Sequence, residues 1–229
     1  MYINLNKQIK HAKFLNNLFL NKYNIHYLAI PKCANTTLKI CILCSLEILD
    51  IEKEKQILKC PELIHKISRQ YIIDHKVIKK NLIEFAIIRD PIDRFKSFYK
   101  DKILGSGWSP KIKKEFIETY NLSTNNNIDE DIEKLCMIPD SRSEIHFRSQ
   151  YYIINQSKLT KNPKIFNIDN FDFVKNFLYS IITDKHNKVL KNLYNFQKSK
   201  NIQLNLSNKS ISFLKSRYIE DYEMINSVK

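Results

Sequence analysis

Two short stretches of this chain carry residue types that hold anions. The first, Pro31-Lys32-Cys33-Ala34-Asn35-Thr36-Thr37, sets a lysine, a compact turn and two hydroxyls where an apolar helical run begins. A helix start offers unpaired backbone N–H groups and a partial positive charge, so a phosphate binds there readily. Lys32 adds a mobile cation, and Thr36 and Thr37 add donors. The order used by nucleotide kinases, GxxxxGK[ST], is absent, because the lysine precedes the turn and no glycine is present. The same residues also suit a plain capped helix, with Asn35 or Thr36 as N-cap and Lys32 in solvent.

The second stretch runs from Arg89 through Asp90, Pro91, Arg94 and Ser97 to Tyr99. It places Arg89 at the end of an apolar, strand-like run. Arg94 and Ser97, three residues apart, share a face of the helix that follows. An arginine fork with a hydroxyl grips a phosphate. The alternative is an ordinary cap, with Arg89 paired to Asp90 or Asp93.

The elements that position these stretches follow from periodicity. Residues 8–21 show helical spacing at Ile9, Phe14, Leu15, Leu18 and Phe19. IHYLAI (25–30) reads as a buried strand that stops at Pro31, and 36–49 as a helix. EFAIIR (84–89) is a second strand, followed by a helix with Asp90 as N-cap and Pro91 in its first turn. KIFNID (164–169) is a third strand with a helix from Phe171, and a further helix lies near 208–217. The alternation of strand and helix predicts an α/β domain with a parallel sheet. Ligands of such folds sit at the carboxyl ends of strands, where both stretches fall.

Composition limits the classes. A chain of 229 residues with 43% hydrophobic side chains can bury a core, which excludes wholesale disorder. Its 38 basic and 24 acidic residues give a net charge of +14, which attracts polyanions without selecting one. The basic residues are scattered and no RNP-type or KH-type signature is present, which argues against an RNA-binding module. The cysteines, Cys33, Cys41, Cys44, Cys60 and Cys136, are odd in number. The CxxC of Cys41 and Cys44 lies inside a helical run and reads as buried packing. The pattern suits a reducing compartment. The opening residues carry charges where a secretory segment needs an unbroken apolar run, and no stretch is long enough to span a bilayer. These features predict a cytoplasmic location.

Together and in this order, PKxxxTT and RDPxxRxxSxY resemble the two motifs by which sulfotransferases bind 3′-phosphoadenosine-5′-phosphosulfate (PAPS). EIHFRSQYYI (144–153) is similar to the HWxPQ segment of the carbohydrate, family-2-like branch, and RYIEDYEMI (217–225) to its closing YxxDF-like segment. The resemblance runs from about residue 25 to the end and is weak between 105 and 140. It departs from the pattern in the glycine-free first loop, in Phe147 for the common Trp and in Ser149 for the Pro. The disulfide cysteines of secreted relatives are missing, which fits a cytosolic, bacterial version.

The resemblance implies a three-layer α/β/α fold around a central parallel sheet, P-loop-like, as one domain over 1–229 with residues 1–24 as a helical extension. It implies in-line transfer of a sulfuryl group from PAPS to a carbohydrate hydroxyl, with PAP as product and no metal. Lys32 would contact the oxygen bridging phosphorus and sulfur. Asn35, Thr36, Thr37 and the backbone of Cys33 and Ala34 would surround the 5′-phosphate, and Arg89 and Ser97 would hold the 3′-phosphate. Relatives place a His or Glu base between the first loop's helix and the second strand. His75, beside Asp74, is favoured there, with His146 and His65 as alternatives. His26 reads as a packing residue, and His11 and His186 as surface residues. The implied partner is a carbohydrate, an anionic glycan included, with peripheral membrane contact open and no nucleic acid. The competing readings are an atypical nucleotide or small-molecule kinase and a non-catalytic nucleotide- or RNA-binding relative.

Overall fold

The computed structural model describes residues 17–49, 51–60, 63–71, 81–123, 125, 127–181 and 203–228. By their internal contacts these residues divide into two units. One comprises the described residues up to Ile88 together with those from Ile153 to 181; the other runs from Arg89 to Tyr152 and resumes at 203.

The first unit is built on an open sheet of four strands in the order β1-β2-β3-β4. These are β1 (Leu18–Leu20), β2 (Ile25–Leu28), β3 (Ile83–Ile88) and β4 (Lys164–Asn167). β2, β3 and β4 run parallel, with Tyr27 opposite Phe85 and Phe85 opposite Lys164. β1 pairs antiparallel with β2, so the sheet is mixed, whereas the pattern of elements predicted a parallel one. Successive residues of β2 and β3 are buried without alternation. Side chains along a strand point to opposite faces, so both faces of the central strands are covered, as a three-layer fold requires.

The helical reading of residues 8–21 fails where it can be tested. Leu18, Phe19 and Leu20 form a strand, all buried, in register with Tyr27, His26 and Ile25. A three-residue apolar run fits either period, and pairing with β2 decided it. The residues before 17 lie outside the described ones.

Five helices complete this unit or begin in the other: α1 (Asn35–Ser45), α2 (Ile51–Lys59), α3 (Leu63–Ser68), α7 (Gln150–Ser157) and α8 (Phe171–Ile181). α1 is buried at every position from Leu38 to Ser45, as a helix apolar all round should be. It stops short of the predicted residue 49 because Glu47 turns left-handed, with φ 50°. Cys41 and Cys44 are buried in it, and burial pushes the Cys41 thiol up to about 12.

A polar cluster ties the sheet internally. His26 Nδ1 lies 2.7 Å from Glu84 Oε1 and both residues are buried. Glu84 also accepts from the backbone N–H groups of Leu159 and Thr160. Burial alone would raise this carboxyl; the bonds from His26, Thr160 and Leu159 outweigh it and hold it below the usual range. His26 is thus a packing residue with a full set of partners.

The second unit holds α4 (Pro91–Phe98), α5 (Pro110–Tyr120), α6 (Ile128–Cys136), α9 (Asn208–Arg217) and α10 (Ile219–Ser227). α4 begins as its sequence predicts: Asp90 accepts from the Asp93 N–H at 2.9 Å and Pro91 fills the first turn. Its last turn widens into a π-helix over Tyr99–Leu104. The core of this unit is aromatic, centred on Phe95, Phe98, Tyr99, Phe116 and Phe147.

Candidate functional site

In the first unit, β2 and β3 run side by side, and the chain leaves β2 toward α1 through residues 29–34. Two residues of this turn are left-handed, Lys32 at φ 70° and Ala34 at φ 55°, with Cys33 of negative φ between them. Alternation of this kind is the backbone geometry of anion-binding nests. A left-handed residue with a Cβ costs about 1 kcal/mol, and such strain persists where the surroundings over-determine it. Here Cys33, fully buried, anchors the turn, and its N–H reaches Ile30 O at 3.3 Å.

Ala34 is the N-cap of α1 and supplies no side-chain cap. The alternative of a helix capped by Asn35 or Thr36 is therefore not what the chain adopts. The first bond of the helix runs from Leu38 N to Ala34 O at 2.9 Å. Asn35, Thr36 and Thr37 form the opening turn, and no N-cap side chain takes up its N–H groups. Thr36 and Thr37 are half-buried, and Asn35 is buried with its Oδ1 lacking a partner. The residues expected to surround a phosphate, from Lys32 to Thr37, lie together in one turn.

Two hydrogen-bonded rungs join α1 to α3. Thr36 Oγ1 lies 2.9 Å from His65 Nε2, and Lys39 Nζ donates to Ser68 Oγ at 3.1 Å. Ser68 Oγ in turn donates to the His65 carbonyl at 3.1 Å. The rungs are three residues apart on both helices, the spacing that puts residues on one helix face. Lys39 is almost fully buried, and burial, with the neighbouring charge of Arg69, lowers its ammonium to about 8.

The second unit carries the other expected anion contacts. Arg89 directly follows β3 in the chain and is half-buried. No carboxylate among the described residues pairs with its guanidinium, and Asp90 is spent on the α4 cap. The alternative pairing with Asp90 or Asp93 is not formed. Ser97 is half-buried on α4. Arg94, which the spacing grouped with Ser97, is buried and donates to the carbonyls of Arg148 at 2.8 Å and Ile145 at 3.1 Å. It holds the fold. Tyr99 is buried too and donates to Asp131 Oδ2 at 2.7 Å.

Sequence reasoning missed what fixes Arg89. Gln150 grips its backbone from both sides, accepting from Arg89 N at 2.9 Å and donating to Arg89 O at 2.7 Å. Asp221, fully buried, accepts from Gln150 N at 3.0 Å and Tyr151 N at 2.8 Å, so it caps α7 from α10. Burial pushes this carboxyl above its ordinary range. The signal was the pair of segments 144–153 and 217–225, whose joint meaning is this clamp.

Of the candidate bases, His75 lies outside the described residues, as do His11 and His186. His146 Nδ1 lies 2.7 Å from Glu144 Oε1, with its ring against Phe98 and Trp108. Burial would raise Glu144, but the charge and donor of His146 hold it below the usual range. His65 stands on Thr36.

The described residues thus form a mixed α/β fold whose turn from β2 into α1 leads to a helix start without a side-chain cap. The chain belongs to the sulfotransferase family, whose model matches residues 17–226. That range takes in β1 and both stretches. The chain is also similar to two proteins of Clostridium botulinum named segregation and condensation protein A. One, from strain Alaska E43, is 26% identical over 180 residues, covering 75% of this chain and 70% of the relative. The other, from strain Eklund 17B, is 27% identical over the same length and shares. No solved structure matches at a significant level. Among the described residues, no helix is long and apolar enough to cross a membrane.

Proposed function

We propose that this sulfotransferase-family protein uses PAPS as donor and a carbohydrate hydroxyl as acceptor, in the cytoplasm. The observation that carries the donor is the turn before α1, where left-handed Lys32 and Ala34 lead into a helix start with no side-chain cap. The residues present fit a phosphosulfate. The α1 N–H groups of Asn35, Thr36 and Thr37 suit the 5′-phosphate, with Ala34 contributing backbone; the Cys33 N–H, expected to join them, is turned to Ile30 O instead. Arg89, without a carboxylate partner among the described residues, and Ser97 suit a 3′-phosphate.

When bound, the donor supplies the sulfuryl group and a phosphate leaving oxygen. Lys32 is then the cation for the charge that grows on that oxygen, where a preorganised donor lowers the barrier. His75 takes the proton of the acceptor hydroxyl. The net charge of +14 favours an anionic glycan among the carbohydrate acceptors.

The test is thermal unfolding with adenosine 3′,5′-bisphosphate. At a hundredfold over its Kd the gain is about 2.7 kcal/mol, or roughly 5–10 °C for a chain of this size. An unmoved melting temperature at millimolar nucleotide, with and without Mg²⁺, would reject the donor. A glycan screen with labelled PAPS, read by mass spectrometry, then tests the acceptor.

A further inference from the structure

The rung between Thr36 and His65 joins the opening turn of α1 to a titratable ring that the proposed chemistry does not use. A threonine hydroxyl has one proton to give. If His65 Nε2 is bare, that proton is spent on the ring and the hydroxyl turns lone pairs outward. If Nε2 carries hydrogen, the ring donates to Thr36 Oγ1 and the hydroxyl proton is left for a ligand. An anion at the turn therefore selects the second state, which the imidazolium enforces.

The rung is held in place from one turn further along. Lys39 on α1 donates to Ser68, and Ser68 donates to the His65 carbonyl, so the lysine fixes the α3 turn that carries the ring. Among the described side chains, the charged groups on α3 and on the elements packed against it are exposed Lys66 of α3, Lys39 of α1, Arg69 in the turn that follows, and exposed Glu52, Lys53, Lys55 and Lys59 on α2. Most are cations, which oppose protonation of the ring until an anion balances them.

We propose that His65 is a positioning residue for anion binding at the first loop: through Nε2 it orients the Thr36 hydroxyl to donate, and it gains a proton as the anion binds. The inference rests on the nucleotide reading above. Affinity should then rise as pH falls through the imidazole range, and reciprocally bound anion should raise the fraction of protonated His65.

The experiment measures the Kd of adenosine 3′,5′-bisphosphate by calorimetry from about pH 8 to about pH 5.5, the range in which imidazoles titrate. The forms compared are wild type, His65→Gln, His65→Ala, Thr36→Ala and the Thr36→Ala/His65→Ala double variant. A glutamine amide can replace the Nε2 donor but cannot titrate. His65→Gln should bind within about twofold of wild type at neutral pH, and His65→Ala about tenfold weaker. In the Thr36→Ala background the second substitution should add nothing. Relative to His65→Gln, wild type should gain affinity toward acid pH; titration of the nucleotide itself cancels in that ratio. Equal pH profiles for wild type and His65→Gln overturn the proposal, as does a His65→Ala loss that persists without Thr36. If every form, wild type included, fails to bind, the nucleotide reading falls and this proposal with it. Binding by wild type with no effect of His65 removes only this proposal. Melting temperatures of the variants identify any loss that is merely unfolding.

Discussion

Lys39 and Lys32 stand seven residues apart and make opposite bargains with water. Lys32 is half-buried in a strained turn, while Lys39 is 1% exposed with a serine hydroxyl as partner. A buried ammonium without a carboxylate is costly, which is why burial lowers Lys39 to about 8 from 10.5. Between those pH values the unfolded chain keeps a proton that the folded chain has given up, so this residue's contribution to stability rises with pH. Below about 8 the full penalty stands, on the order of 3 kcal/mol. Lys39→Met, which keeps the volume, should therefore be more stable than wild type at pH 7, and the gap should close between about pH 8 and about pH 10.5. Cys41, raised to about 12 from 9.0, gives the opposite slope over the upper part of that window. The difference between the two proteins is therefore the diagnostic, measured by urea unfolding across pH. A constant difference would show that Lys39 does not lose its proton in the fold. By contrast, Lys32→Ala should lower kcat about 10²–10³, the scale of losing one donor at a developing anion. A change confined to KM for PAPS would make Lys32 a uniform binder.

The elements around the two stretches were legible to different degrees, for physical reasons. The first loop shows this best. Ala34→Gly removes the Cβ from a left-handed residue and should stabilise by roughly 0.5–1 kcal/mol after the entropy of the added glycine, or about 1–4 °C in melting temperature. Nucleotide affinity should hold, because the contacts there are backbone; a lower melting temperature would show that residue 34 is not left-handed. A chain with two glycines must place other residues at positive φ, and Asn24, Asn121, Lys32, Ala34 and Glu47 do so. Asparagine advertises such a turn, whereas Lys, Ala and Glu do not. That hid both the nest and the end of α1. β2 and β3 were legible because buried parallel strands read as continuous apolar runs, and α4 because Asp90-Pro91 is a helix start; β4, exposed or half-buried along its length, offered only Ile165 and Phe166. β1 was not legible, since its strand character comes from pairing with β2. Nor was the clamp on Arg89, because Gln150 meets it from 61 residues away and Asp221 holds Gln150 from a further 71. Gln150→Ala should therefore imitate Arg89→Ala. Both should weaken adenosine 3′,5′-bisphosphate much more than adenosine 5′-phosphate, which lacks the 3′-phosphate. Equal losses for the two nucleotides would make the clamp purely structural.

At the scale of the whole molecule, charge is the property that reaches beyond the site. With 38 basic against 24 acidic residues, the surface sets up a positive potential that does not depend on the geometry of any one loop. Such a field acts on encounter: it raises the rate at which an anionic partner arrives and leaves a neutral one unaffected. It is also screened, with a Debye length of about 10 Å at 0.1 M salt and about 3 Å at 1 M. If the acceptor is an anionic glycan, kcat/KM for it should fall about tenfold or more as salt rises from about 50 mM to several hundred millimolar. A neutral sugar of the same length should change little. The nucleotide donor is itself an anion, so both acceptors must be compared with donor at saturation, where its binding no longer enters the rate. The sign is then unambiguous, because uniform screening of the active site would lower kcat for both acceptors alike, whereas loss of steering lowers kcat/KM for the charged one alone. Equal salt slopes for the two acceptors would mean that the excess of lysine serves solubility, and that the acceptor is selected by the site without help from the field around it.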